Sequence, residues 1–420
     1  MMALASSAIG RLLTAAAFLV ALSALGVAAP KHDIKPAKPA AAVAPKKEAP
    51  RNKDEPVLSA PHAILIDAEN GGVLFERDPD QLIFPASLAK LMTAEYVFHE
   101  LKEGRIKPTD EYTVSENAWR KGGAPSHGST MFAAIHSKIS VDDLLHGMII
   151  QSGNDACIVL AEGLAGTEDE FAEKLTQRAR EIGLAKSVFG NSNGLPDPNT
   201  KVTTRELGML ARRIILDYPD LYKIFGQADF TWGKIRQPNR NPLLGAVVGA
   251  DGLKTGFTKE AGYGLVGSAV QDGVRLIVVV NGLKNAKERG DEAKKLLEWG
   301  FRSFEQRNLF AEGQIIGSAK VYGGASGSVP LQAPGLVKMM VPKSGGEKLI
   351  ARIAYQGPVP APVTQGQTIG LLKVWRDDKL VLQVPLRAAE SVGKGNMPGR
   401  ALDAVTEMVI ALFRAGAERL

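Results

Sequence analysis

Cysteine is nearly absent from this chain. Cys157 stands alone among 420 residues, which excludes an intrachain disulfide and any site built on several thiolates. Histidine is sparse as well. His32, His62, His99, His127, His136 and His146 show neither His-x-x-x-His nor His-Glu-x-x-His spacing, so each reads as a surface or packed side chain and no metal centre is expected. The excess of positive charge is largely missing from the body. The net charge is +6, but Pro30 to Pro56 holds seven Lys/Arg against four Asp/Glu and Arg11 adds one more, which leaves +2 elsewhere. A body so close to neutral does not read nucleic acid. What is present is apolar material, 45% of residues, enough for two or three domains with substantial cores.

The long apolar run is confined to the N-terminus. Arg11, the apolar stretch Leu12 to Val27 and the small residues Val27-Ala28-Ala29 read as an export signal over residues 1–29. An uncleaved anchor is the alternative, since the run is near the lower length limit for a membrane span. Either way the body is exported, with the periplasm and the outer face of the inner membrane as its place. Residues 30–56, rich in Pro, Ala and Lys, cannot bury a core and read as a linker. Residues 57–308 read as an α+β domain. Two strands, Ala63 to Asp67 and Val73 to Glu76, flank a Glu69-Asn70-Gly71-Gly72 turn. A mostly helical middle reaches about Asp217, and strands return from Ala246 to Gly282 before a helix at Glu288 to Phe304. Strands that open and close a domain around helices imply one sheet with sequence-distant partners. Residues 309–395, with short apolar runs and many Gly/Pro turns, read as a small all-β domain. Residues 396–420 read as a terminal amphipathic helix: Leu402, Val405, Val409, Leu412 and Phe413 share a stripe opposite Asp403, Glu407, Arg414 and Glu418. That pattern suits a membrane surface; packing against a partner helix is the rival, because the segment has no lysine or tryptophan.

Three short motifs carry chemistry. Ser87 and Lys90 stand three apart at the start of a predicted helix from Leu88 to about Glu103, so their side chains share a face. A serine hydroxyl needs a base to become a nucleophile, and lysine is one only when burial or a cationic neighbour lowers its pKa. Ser152-Gly153-Asn154 falls in a break between two helical stretches, where a hydroxyl can relay a proton and an amide can hold a carbonyl. Lys254-Thr255-Gly256 lies on a predicted strand, supplying charge, a carboxylate hydrogen-bond donor and a position without a Cβ where a substrate backbone can approach. A strand with an open edge accepts an extended peptide. Ser115-Glu116-Asn117 and Lys343-Ser344-Gly345 repeat two of these patterns outside such settings and read as ordinary turns.

Taken together and in this order, the triplets resemble those of the penicillin-binding proteins and class A β-lactamases, a set of motifs already catalogued for those enzymes. The chain resembles the low-molecular-mass penicillin-binding proteins of the D-alanyl-D-alanine carboxypeptidase type. The likeness extends to Ser152–Cys157, Phe189–Leu195, Thr203-Thr204-Arg205 and Lys294–Phe301, and to the signal, the β domain and the terminal helix. It implies a β-lactamase/transpeptidase-like catalytic domain and a reaction without metal or organic cofactor. Ser87 would be acylated by the penultimate D-alanine of a peptidoglycan stem peptide, with Lys90 taking its proton. Ser152 and Lys254 would pass a proton to the departing D-alanine. Asn154 would hold the peptide, Thr255 its carboxylate, and the N–H groups of Ser87 and Phe257 the oxyanion. The family carries histidine where this chain has Phe257. Arg205 is a candidate for the carboxylate, against a structural ion pair. β-Lactams would be covalent inhibitors. Cys157 reads as a small buried hydrophobe rather than a reactive thiol.

The rivals are a DD-endopeptidase on wall cross-bridges, which the same site could serve, a class A-like β-lactamase and a non-catalytic wall-binding protein. The second lacks support because the chain has no Glu-x-x-Leu-Asn motif; the third sits poorly with three intact motifs.

Overall fold

His62–Asp67 (β1) and Val73–Arg77 (β2) form the expected hairpin, and β1 pairs on its other edge with a strand more than two hundred residues later. The coordinates, a computed structural model, describe residues 55–345, 348–376 and 379–397. The signal segment, nearly all of the linker and the amphipathic stripe of the terminal helix lie outside the described residues.

After the hairpin, a 3-10 turn at Ala86–Ala89 runs into Lys90–Lys102 (α1). Glu111–Thr113 (β3), Glu116–Gly122 (α2), Lys138–Ser140 (β4), Val141–Ile149 (α3), Asn154–Ala165 (α4), Glu168–Glu181 (α5), Thr204–Asp217 (α6) and Pro219–Tyr222 (α7) follow. Two short strands, Asp229–Trp232 (β5) and Ile235–Pro238 (β6), precede Ala250–Thr258 (β7), Gly262–Gln271 (β8), Val274–Leu283 (β9) and Ala286–Ser303 (α8). The five-stranded sheet has the order β2-β1-β9-β8-β7, antiparallel throughout, so the first and last strands of the domain share one sheet and β7 is its edge.

Strand alternation explains the layers. Ile64, Ile66, Val266, Ile277 and Val279 face the helical cluster of α1 and α3–α6, while Leu65, Leu265, Leu276, Val278 and Val280 face Leu296 and Leu297 of α8. Covered on both faces, β9 reads as a continuous apolar run rather than an alternating one. Helix α1 lies at the centre of the helical layer, buried nearly all round from Lys90 to Phe98. Its one acid in that stretch, Glu95, is fully buried and meets Arg178 at 2.9 Å, Arg213 at 3.0 Å and the Tyr218 hydroxyl at 3.1 Å. A buried carboxylate is tolerated only with such partners.

Phe304–Phe310 (β10), Ile315–Tyr322 (β11), Ser328–Gln332 (β12), Val337–Pro342 (β13), Leu349–Tyr355 (β14), Val359–Pro360 (β15), Thr368–Arg376 (β16) and Lys379–Ala388 (β17) build the β domain around its own core. Its larger sheet runs β14-β16-β17-β12-β11-β15, and β10 pairs with β13. The β1–β2 turn holds this domain: Asn70 donates to Lys338 O at 2.7 Å, and Glu69 receives Gln306 at 2.7 Å and Lys338 at 3.3 Å. Among the described residues, no helix is long and apolar enough to cross a membrane.

Candidate active site

Ser87 sits on the 3-10 turn, three residues before Lys90 opens α1, so the helix expected from Leu88 starts two residues later. Their Oγ and Nζ are 3.1 Å apart. The turn is held under tension. Ala86 has φ of 48°, a left-handed conformation that costs alanine free energy. A loop presses on it from outside: Gly194 has φ of 78°, and a Cβ there would lie 1.9 Å from Ala86 O. From the inside, β7 packs so closely that a Cβ on Gly256 would lie 2.9 Å from Pro85 O and 3.1 Å from Leu88 N. The absent side chain of Gly256 therefore makes room for the nucleophile's own turn, where the sequence suggested room for a substrate backbone.

The second triplet touches both lysines. Ser152, with φ of 60°, ends the break after α3, and Gly153 caps α4. Lys90 Nζ lies 2.8 Å from Asn154 Oδ1 and 2.6 Å from Asn193 O. Lys254 Nζ lies 2.8 Å from Ser152 Oγ. Asp155, the next residue on α4, accepts from Thr130 Oγ1 at 2.6 Å and from the N–H groups of Met131 and Ala133, fixing the loop that borders the site. The structure thus brings Ser87, Lys90, Ser152, Asn154, Lys254, Thr255 and Gly256 together.

Burial decides the protonation of the lysines. Lys90 and Lys254 are 1% and 2% exposed, and among the described residues no carboxylate pairs with either. Desolvation pushes both ammonium groups below the usual lysine range, Lys254 well below it; Lys90 and Arg240 lower Lys254 further by repulsion. Two of the three Nζ neighbours of Lys90, the Asn154 and Asn193 oxygens, can only accept. A neutral Lys90 spends its two hydrogens on them and turns its lone pair to the Ser87 hydroxyl. That is the geometry of a general base.

Arg240 was not singled out from sequence, and Asn193 entered only as part of the Phe189–Leu195 stretch. Arg240 donates to Ser129 Oγ at 2.5 Å and has no carboxylate partner among the described residues. Its positive charge lowers the pKa of both lysines. Asn193 is held by Glu168 Oε1 at 3.2 Å, which also receives Ser192 at 2.9 Å. The turn-forming run Asn191-Ser192-Asn193-Gly194 between helices was the available signal. Phe257, 49% exposed, stacks on Tyr263 at 4.1 Å between centroids.

Arg205 requires a correction. It starts α6 away from this cluster, donating to both Asp80 oxygens at 2.9–3.2 Å and to Glu76 at 2.8 Å. With two carboxylates already in place, its guanidinium is a structural tie rather than a substrate ligand. Cys157 is buried with Sγ 3.2 Å from Gly153 O, and burial pushes its thiol up to about 12. Ser115 caps α2, accepting from Ala118 N at 2.9 Å, and Lys343-Ser344-Gly345 forms a turn after β13.

A serine beside a desolvated lysine, with a second serine–lysine pair behind it, defines a serine acyl-transfer enzyme of the penicillin-recognising class. A family model described as D-alanyl-D-alanine carboxypeptidase matches residues 49–285, and one described as the C-terminal domain of penicillin-binding protein 5 matches residues 304–394. The chain belongs to the D-alanyl-D-alanine carboxypeptidase family and is a serine-type peptidase of that family. It is 39% identical over 355 residues to the D-alanyl-D-alanine carboxypeptidase DacC of Escherichia coli K12, covering 84% of this chain and 89% of that one. Penicillin-binding protein 5 from Haemophilus influenzae superposes with a TM-score of 0.70 at 38% identity, over 81% of this chain and 99% of that one. Penicillin-binding protein D2 from Listeria monocytogenes, solved in its ampicillin-bound form, gives a TM-score of 0.51 at 30% identity, over 59% and 99%.

Proposed function

We propose that the enzyme removes the terminal D-alanine from peptidoglycan stem peptides through an acyl-Ser87 intermediate. Lys90 takes the Ser87 proton as Oγ attacks the penultimate carbonyl. Ser152 and Lys254 deliver a proton to the departing amine. Asn154 holds the peptide and Thr255 the terminal carboxylate, with Arg240 as its counter-ion. The N–H groups of Ser87 and Phe257 receive the oxyanion, a contact of a kind whose loss costs about 2.7–4 kcal/mol. Water then attacks the ester and frees Ser87. β-Lactams acylate the same oxygen. The observation that carries this reading is the pair of buried lysines, each without a carboxylate partner among the described residues and each aimed at a serine.

The body works outside the cytoplasm, in the periplasm, exported by the first 29 residues, and residues 396–420 hold it to the outer face of the inner membrane. Fluorescent penicillin on the exported body tests the chemistry: Ser87 is labelled, and persistent labelling in Ser87→Ala would refute the assignment. Comparing release of free D-alanine with cleavage of cross-linked dimers separates carboxypeptidase from endopeptidase action. Loss of residues 396–420 releases the protein from the membrane fraction; unchanged fractionation would discard the anchor.

A further inference from the structure

The β domain presents a charged face that the reaction does not use. On strands β14, β16 and β17 this face carries Arg352, Lys373 and Arg387, and the three strands contain no aspartate or glutamate. Pairing sorts the side chains into rows. Arg352, Lys373 and Gln383 lie side by side across the three strands, and Ile350, Trp375 and Leu380 form the next row. Their neighbours Leu372, Val374, Leu382 and Leu386 fill the domain core, so alternation puts both rows on the opposite, outer face. Arg387, exposed next to buried Leu386, joins them. Among the described residues, no carboxylate pairs with Arg352, Lys373 or Arg387. The Arg352 guanidinium lies 5.6 Å from the centre of the half-buried Trp375 ring.

This face does not stop at the sheet. Leu380 and Gln383 also line a cleft of about 680 Å³, whose other wall is α6 with Met209 and Leu216 and whose charges balance, Arg205, Arg212 and Arg213 against Glu76, Asp80 and Asp217. Unpaired cations around an aromatic platform select an anionic ligand with flat apolar surfaces. A flat bilayer cannot follow a face into a cleft; a chain-like ligand can.

We infer that the outer face of β14, β16 and β17, continuing into this cleft, binds the anionic glycan–peptide polymer of the cell wall. The inference rests on the proposed function, because that polymer carries the stem peptides. Its carboxylates meet Arg352, Lys373 and Arg387, and its sugar rings lie on Trp375. Engagement of one polymer at two places raises the effective concentration of stem peptide at Ser87 without any new contact there.

The test uses the full-length chain, pre-acylated with penicillin so that Ser87 is blocked, and measures co-sedimentation with purified insoluble peptidoglycan. Arg352→Gln/Lys373→Gln/Arg387→Gln is expected to bind about tenfold more weakly at low salt, and wild-type binding to fall as salt rises. Penicillin labelling and D-alanine release from a short soluble peptide stay at wild-type levels in the same triple variant, which reports both its fold and the active site. A control with equal charge loss on the catalytic domain, Lys223→Gln/Lys287→Gln/Lys294→Gln, keeps wild-type binding. Unchanged sedimentation of the first variant would overturn the inference, as would equal loss in the control. So would a first variant that loses binding to phosphatidylglycerol vesicles while keeping peptidoglycan, since the face would then serve the membrane. Failure of penicillin labelling in the wild type, by contrast, would remove the proposed function itself.

Discussion

Asn154 Oδ1 lies 2.8 Å from Lys90 Nζ, and this contact joins the second motif to the first. Because the oxygen can only accept, it helps turn the Lys90 lone pair toward Ser87. Asn154→Asp puts a negative charge against the amine, favours the ammonium and raises the Lys90 pKa. The acidic limb of the acylation–pH profile is expected to move upward by about one pH unit or more, the size of a close opposite-charge effect. Stopped-flow acylation by a fluorescent penicillin across pH 5–10 measures it. A limb that stays put would mean that Lys90 is not the base.

Phe257 faces outward and stacks on Tyr263. If its role is the backbone N–H, the side chain is replaceable. Phe257→His should keep acylation within a few-fold of wild type while adding a titration near an ordinary histidine pKa of about 6.5. A drop of about a hundredfold, the size of a lost oxyanion donor, would show that the aromatic ring itself positions the strand.

The order of motifs was legible because each is a local pattern on its own element. So were the hairpin, the helix break and the return to strands after Ala246, where turn residues and apolar periodicity agree. Less legible was what depends on pairs far apart in sequence. Asn193 enters through its carbonyl, which no residue type announces. Arg205 and Arg240 look alike as arginines, and only the placement of Glu76, Asp80 and Ser129 tells the tied one from the available one. Gly256 belonged to a recognised triplet, yet the reason for it was the Ala86–Ala89 turn across the domain.

Gly256→Ala tests that reason. A Cβ at 2.9 Å from Pro85 O and 3.1 Å from Leu88 N meets backbone, and backbone cannot swing away as a side-chain tip can. Overpacking of this kind costs about 1–3 kcal/mol. The displaced turn carries Ser87, so acylation should fall more than about tenfold, since small misplacements of a reacting atom are costly. Melting curves and penicillin labelling rates check the two parts. Full acylation in the alanine variant would sink the packing account.

Arg240→Gln removes a cation that has no carboxylate partner among the described residues. KM for a peptide with a free C-terminal carboxylate should rise by about tenfold or more, as for a lost charge-assisted contact of about 1.5–3 kcal/mol. The same peptide with an amidated C-terminus should lose little. Equal losses on both substrates would place the effect on the lysines rather than on the carboxylate.

Asp67 ends β1 beside the turn that holds the β domain, is 1% exposed, and has an Oδ2 without a hydrogen-bond partner. Desolvation raises its pKa from 3.8 to about 6, against the pull of the Glu69 N–H on Oδ1 at 2.9 Å. A folded-state pKa above the unfolded value means that the protonated carboxyl suits the fold. Its benefit is complete below about pH 4 and is lost as pH rises through about 6. At pH 7 the buried charge costs on the order of 3 kcal/mol, because each tenfold weakening of the acid corresponds to about 1.4 kcal/mol. Asp67→Asn keeps an oxygen for the Glu69 N–H and removes the charge. The variant should therefore match wild type near pH 4 and gain Tm progressively from pH 4 to 6, with a constant advantage above that. Calorimetric Tm values at pH 4, 5, 6, 7 and 8 measure the difference. A variant less stable than wild type at pH 8 would mean that the carboxylate is held ionised by the Arg212 charge, and the assigned direction would be wrong.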